Sequence, residues 1–198
     1  MYIIGITGST GSGKTTALCA VEELGGYTID CDAIYHELLR HNTEMLEEIN
    51  ARFDGTVVNS VLDRKKLGQL VFNDAEALKE LNKITHKYVS IEINRQLDRE
   101  KAAGRKLAAI DAIALIESGR GKACDVTVAV TAPEAERIKR LMEREGISEE
   151  YARLRISAQK SDEWYKENCD IVLVNSGDIN EFKKQCLECF SALLNKHS

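Results

Sequence analysis

The chain has 198 residues, 43% of them hydrophobic and 30% charged, with a formal net charge of −5. That is enough for one domain with a sizeable core, and the acidic balance argues against a general nucleic-acid or membrane-surface binder, which needs a basic footprint. The longest apolar candidate, Leu107 to Ile116, is broken by Asp111 and too short to span a bilayer, and the N-terminus lacks the basic and apolar regions of a secretory signal, so a cytoplasmic protein is expected.

The first element is a short β-rich run, Tyr2 to Ile6. It leads into Gly8-Ser9-Thr10-Gly11-Ser12-Gly13-Lys14-Thr15, which fits the phosphate-binding P-loop pattern G-x-x-x-x-G-K-[ST]. A helical pattern follows from Thr16 to Leu24. Strand, glycine-rich loop and helix form the context that gives the motif its meaning. The loop can wrap a polyphosphate, and the helix start adds the positive end of its dipole. Lys14 then reaches the β- and γ-phosphates, and the Thr15 hydroxyl holds Mg²⁺.

Gly25-Gly26 ends that helix, and Tyr27 to Ile29 predicts a second strand running into Asp30-Cys31-Asp32. A long helical region is expected from about Ala33 to Lys101, with a turn near Gly55 and Asn59. Lys106 to Asp111 and Asp125 to Val130 read as buried strands. Pro133 opens a helix as a first-turn proline. The charged helical stretch from Glu134 to Lys166 breaks at Gly146 and restarts with Ser148 as N-cap. Asp170 to Asn175 is the last strand, and Asp178 or Asn180 caps a final amphipathic helix. That helix carries Cys186 and Cys189, two of six cysteines, read as packed thiols because no second ligand pair has metal-site spacing.

Five short strands alternating with helices predict an α/β fold, a parallel sheet covered on both faces. Ligands in such sheets bind at the carboxyl ends of the strands, which would gather the P-loop, Asp30, Asp32, Asp111 and Asn175. Residues two apart in a strand share a face, so Asp30 and Asp32 both face the nucleotide edge if the strand continues, or cap the next helix if it does not. Asp111, a carboxylate in an apolar strand, is either a Walker-B-like group near Mg²⁺ or a cap at the strand end. Arg140 and Arg144 belong either to a solvated helix or to a lid closing over the transferring phosphates. His86 is a lone histidine on a predicted helix, a pattern more common in structural than functional positions.

Nearly the whole chain resembles the dephospho-coenzyme A kinases of the P-loop kinase superfamily. The resemblance rests on Ile29-Asp30-Cys31-Asp32-Ala33-Ile34, similar to that family's D-x-D-x-I element, and on Leu62-Asp63-Arg64 with Leu67 and Val71-Phe72. It continues through Asp111 to Glu117, Ala132-Pro133, the lid residues Arg140-Leu141, Arg144, Gly146, Arg155-Ile156 and Gln159, and Asn175-Ser176-Gly177. The chain departs from the family pattern at His36, Lys87, Ile113, Ala114 and Ile116.

The resemblance implies a three-layer P-loop sandwich in a single domain spanning residues 1–198. Its core is about 1–32, 104–137 and 167–198, with a helical acceptor-binding region at about 33–103 and a lid at about 138–166. It implies transfer of the ATP γ-phosphate to the ribose 3′-hydroxyl of dephospho-CoA, with Mg²⁺. Asp32 becomes the base, Lys14 the phosphate clamp and Arg140 a catalytic lid residue. Gly11, Ser12, Gly13, Lys14, Thr15, Thr16, Arg144 and Asn175 bind ATP, with Asn175 near the adenine and Thr15 on the metal. Asp30, His86 and Asp111 bind the acceptor. The partners are small molecules, with no nucleic acid or membrane, and the chain is a monomer or weak homo-oligomer. The competing enzyme reading is a kinase for another small metabolite, such as a nucleoside monophosphate. A GTPase would carry N-K-x-D and a transporter-type ATPase L-S-G-G-Q, and neither occurs. Intact Lys14, Thr15 and Asp32 argue against a non-catalytic binding module.

Overall fold

A computed structural model describes residues 1–196; the last two residues of the expected core segment lie outside the described residues. In chain order the first elements are β1 (Tyr2–Gly8), α1 (Lys14–Glu23), β2 (Tyr27–Asp30), α2 (Cys31–His41) and α3 (Thr43–Arg52). Next come β3 (Val57–Val58), β4 (Val61–Leu62), α4 (Arg64–Val71) and α5 (Ala75–Ala102). The remainder is β5 (Leu107–Asp111), β6 (Val126–Thr131), α6 (Glu134–Glu145), α7 (Glu149–Ser157), α8 (Asp162–Asn168), β7 (Ile171–Val174) and α9 (Ile179–Lys196). Two compact units result: Met1–Ile29 with the chain from Glu100 onward, and Asp30–Arg99.

The first unit is built on a five-stranded parallel sheet of order β2-β5-β1-β6-β7. Its strands are short, nearly continuous apolar runs, as expected where both faces are covered. Along β1, Ile4 and Ile6 are fully buried and join Val128 and Val130 of β6, Ala17, Ala20 and Val21 of α1, and Phe182, Cys186 and Phe190 of α9. Each large apolar side chain buried there contributes about 1.5–3 kcal/mol. Burial also pushes the Cys186 thiol up to about 12, making it a packing group. On the other face, a Cβ at Gly5 would come within 2.7 Å of Leu115 and 2.9 Å of the Cys124 sulfur. The glycine lets the segment after β5 lie directly on the central strand.

Register places the functional edge. Ile6 of β1 lies beside Asp111 of β5, and Gly8 lies beside Val130 of β6. The loop after β1 therefore leaves the sheet from between its two neighbours. The five expected strands are present within a residue or two of the predicted ends. Pro133 differs from expectation: it is the N-cap of α6, with an extended ψ of 139, because its ring fixes φ at −50 but the helical hydrogen bonding starts one residue later. Gly146 stops α6 in the left-handed region at φ 66, and Ser148 caps α7 by accepting the Tyr151 N–H at 3.2 Å. Ile138 and Leu141 of α6 pack with Ala152 and Ile156 of α7.

The second unit has its own core: Leu39, Met45, Ile49, Phe53, Leu67, Val71, Ala77, Leu81, Ile84 and Tyr88, from α2, α3, α4 and α5 and the turn after α3. The turn expected near Gly55 and Asn59 is a small antiparallel hairpin, β3 with β4. Asn59 and Ser60 have φ of 51 and 61, the pair of positive values that a two-residue type I′ turn requires. Lys87, a departure from the family pattern, donates to Glu48 at 2.6 Å, and the Tyr88 hydroxyl donates to the same carboxylate at 2.8 Å. Both bonds hold the Glu48 carboxyl below its usual range.

Candidate active site

The loop between β1 and α1 forms because glycine stands where side chains cannot. Gly11 has φ 75 and Gly13 φ 101, both left-handed. A Cβ at Gly13 would collide with the Asn175 amide, and one at Gly8 would collide with the Val130 carbonyl. Inside the loop, Ser12 N–H donates to the Ser9 carbonyl at 3.2 Å. Gly13 is the N-cap of α1, which has no acidic residue in its first turn, so the positive helix end is unopposed from within the helix.

Gly8 through Thr15 line a cleft of about 610 Å³ together with Asp111, Ile113, Arg140, Glu143, Arg144, Arg155 and Gln159. That volume suits a small-molecule ligand. Lys14 Nζ donates to Asp111 Oδ1 at 2.5 Å, with the two side chains 19% and 17% exposed. The Ser9 and Ser12 hydroxyls are buried with no hydrogen-bond partner among the described residues. Buried hydroxyls normally find partners, so a loop lined by two of them and an ammonium fits an oxygen-rich anion. Thr15 is exposed in the first turn of α1.

Arg140 turns toward the loop. Its Nη1 donates to the Gly11 carbonyl at 3.1 Å, and its Nη2 donates to Asn175 Oδ1 at 3.2 Å. Asn175, 3% exposed, donates its Nδ2 to the Ser12 carbonyl at 2.9 Å. Arg144 instead donates to Glu145 at 2.5 Å, and Arg155 donates to the other oxygen of the same carboxylate. These two bonds lower the Glu145 carboxyl below its usual range.

Of the predicted site residues, Gly11, Ser12, Gly13, Lys14, Thr15, Asp111, Arg140 and Arg144 thus share one cleft. Thr16 lies in the first helical turn, its N–H donating to the Gly13 carbonyl at 3.0 Å. Asn175 braces the loop from behind. Glu143 and Ile113 also line the cleft, as do Arg155 and Gln159, which the family resemblance places in the lid without a stated role.

Asp30, Asp32 and His86 belong to the second unit. The expectation that Asp30 and Asp32 share a strand face is corrected, because α2 begins at Cys31. Asp30 is its N-cap, accepting the Ala33 N–H at 2.9 Å, and this capping bond ends the strand. Asp32 is exposed in the first turn, and His86 is exposed on α5.

Residues 2–181 match a family model described as Dephospho-CoA kinase. A Dephospho-CoA kinase of Dehalococcoides mccartyi is 38% identical over 185 residues, covering 92% of this chain and 93% of that one. Among solved structures, TT1252 from Thermus thermophilus superposes with a TM-score of 0.80 at 35% identity, covering 98% of this chain and 97% of that one. The Dephospho-CoA kinase from Campylobacter jejuni superposes with a TM-score of 0.70 at 26% identity, covering 99% and 98%.

Proposed function

From the premise that the chain belongs to the dephospho-CoA kinase family, we infer that it transfers the γ-phosphate of ATP to the ribose 3′-hydroxyl of dephospho-CoA, giving CoA and ADP in the last step of coenzyme A biosynthesis. The observation that carries the reading is the P-loop cleft, in which Lys14, the start of α1 and two arginines converge on one volume.

Phosphoryl transfer asks little covalent chemistry of the protein; positioning and charge stabilisation do most of the work. The loop N–H groups and Lys14 hold the β- and γ-phosphates of ATP, with Gly11, Ser12, Gly13 and Thr16 shaping the cradle. Lys14 exchanges its Asp111 partner for phosphate oxygens, leaving Asp111 to the acceptor side. Arg140 and Arg144 meet charge that spreads over the γ-phosphoryl oxygens in the transition state. Asp32 is the base: its carboxylate takes the proton of the 3′-hydroxyl as that oxygen bonds to the γ-phosphorus and ADP leaves. An exposed carboxylate in a first helical turn is accessible for this. Asp30, as the cap, fixes the start of α2 that carries Asp32, and His86 lies in the acceptor-binding helices. Asn175 holds the Ser12 carbonyl of the phosphate cradle, and by family resemblance it also lies near the adenine of ATP. Thr15 would hold Mg²⁺, which when bound neutralises phosphate charge. The same proposal places the protein in the cytoplasm, where its substrate ATP is available.

The test is direct. Protein, ATP, Mg²⁺ and dephospho-CoA are incubated and the product is identified by mass. The expected product is CoA, which is dephospho-CoA with one phosphoryl group added on the ribose. Phosphorylation of a nucleoside monophosphate with none of dephospho-CoA would overturn the reading.

A further inference from the structure

Both backbone groups of Thr10, in the first half of the P-loop, are held by side chains from far along the chain. The Thr10 N–H donates to Gln159 Oε1 at 2.9 Å, and the Thr10 carbonyl accepts from Arg137 Nε at 3.1 Å. Arg137 Nη2 also donates to Gln159 Oε1 at 3.0 Å, closing a ring of three bonds. Arg137 is 5% exposed on α6, and Gln159 stands just past Ala158, the C-cap of α7. Next to Thr10, a Cβ on Gly11 would come within 3.0 Å of the Arg137 carbonyl oxygen. The loop backbone therefore rests on the α6 backbone as well as on these side chains.

A loop with three glycines has much conformational freedom to lose when it closes on a ligand. Bonds made before the ligand arrives remove that cost from binding. We propose that Arg137 and Gln159 are positioning residues that pre-order the P-loop through the Thr10 peptide groups, and that they tie the loop's conformation to the seating of the end of α7. The proposal rests on the reading that this loop takes the ATP phosphates. Pre-ordering acts on ground state and transition state alike, so its loss raises KM for ATP and leaves kcat near its starting value.

Gln159 uses one oxygen as an acceptor for both donors, which selects the variants. Gln159→Met keeps the length and loses the acceptor; Gln159→Glu keeps the acceptor. Gln159 is only half-buried, so neither substitution removes core packing. Two readouts are taken on the full chain: hydrogen exchange of the Thr10 amide without ligand, and kcat and KM for ATP. In Gln159→Met, Thr10 exchange accelerates about tenfold and KM for ATP rises about tenfold, the size of one lost hydrogen bond, with kcat within about twofold. In Gln159→Glu, Thr10 exchange stays at the parent rate. Unchanged exchange in Gln159→Met overturns the proposal, and a raised KM with unchanged exchange also overturns it, by assigning Gln159 to direct ligand contact. If the parent itself fails to phosphorylate dephospho-CoA, the proposed reaction falls, while the exchange arm still decides whether the ring holds the loop.

Discussion

Asn175 is held at both ends of its amide: Arg140 donates to its Oδ1 at 3.2 Å, and its own Nδ2 donates to the Ser12 carbonyl at 2.9 Å. Each partner forbids the flipped amide, so the side chain has one orientation. Arg140 also donates to the Gly11 carbonyl, which makes it a brace of the loop as well as a cation in the cleft.

That dual position separates Arg140 from Arg144. Arg144 is 61% exposed and, among the described residues, bonded to its chain neighbour Glu145. Arg144→Ala is expected to lower turnover by an order of magnitude or more, about 2–3 kcal/mol for a lost charged donor, with KM for ATP little changed. Arg140→Ala loses turnover and raises KM as well, because the Gly11 carbonyl and the Asn175 amide oxygen both lose a donor. Arg→Lys rescues only partly at either position, since the planar fork is gone. Steady-state kinetics on the four variants checks this; parent-like turnover in both alanine variants would remove the lid role from residues 134–166.

Lys14→Ala is expected to cut turnover on the order of 10²–10³-fold, the scale for one transition-state donor. The fold should persist, because Lys14 sits in the cleft and outside the apolar core of the first unit. The measurement pairs kcat with the thermal midpoint. Near-normal turnover would remove the P-loop from the reaction.

Asp32→Asn should lose far more turnover than ATP affinity, since a base acts on the acceptor hydroxyl. Asp30→Ala should instead lose about 1 kcal/mol of stability, the usual size of an N-cap, because the Ala33 N–H loses its acceptor. Denaturant unfolding and kcat on both variants separate the roles. A reversed ranking in turnover would make Asp30 the base.

Asp170 gives a pH-dependent test away from the cleft. The Thr127 hydroxyl and N–H donate to its Oδ2 at 2.6 and 2.7 Å, and these bonds depress its pKa below the ordinary carboxylate value. A depressed folded pKa contributes stability that is present above the unfolded pKa, about 3.9, and is lost as pH falls through the folded one. Thr127→Val should therefore destabilise the protein at pH 6, with the difference from parent shrinking below about pH 4. Unfolding free energies across that range check it; a difference independent of pH would assign the loss to packing.

Features set by local chemistry were legible in the sequence. The P-loop was visible because Gly11 and Gly13 must take positive φ, and the strands because Ile4, Ile6, Val128 and Val130 form unbroken apolar runs. Gly146 and Ser148 marked a helix stop and start by the same local logic. The hairpin was read as a turn because Asn59-Ser60 lacks the glycine that usually announces a type I′ turn. The sequence leaves the start of α2 open because an aspartate at a strand end looks the same whether it faces a ligand or caps a helix; Asp30 does the latter. The Lys14–Asp111 pair joins residues 97 apart, and the Thr10–Gln159 bond joins residues 149 apart. No periodicity connects such partners; only the completed sheet and helices do.

The order of strands in the sheet also has a consequence for synthesis on the ribosome. β1 is made well before its neighbours β5 and β6, which begin at Leu107 and Val126. At about 5–20 residues per second, the strand that carries the P-loop waits roughly 5–20 s for its first partner. The core cluster of the second unit, by contrast, is drawn from residues within Asp30–Arg99. During that interval an apolar strand with two unpaired edges is exposed in the nascent chain, the condition that invites association with other chains. Slow synthesis of residues 30–106 would lengthen that exposure, so the yield of folded protein should depend on translation speed in that segment.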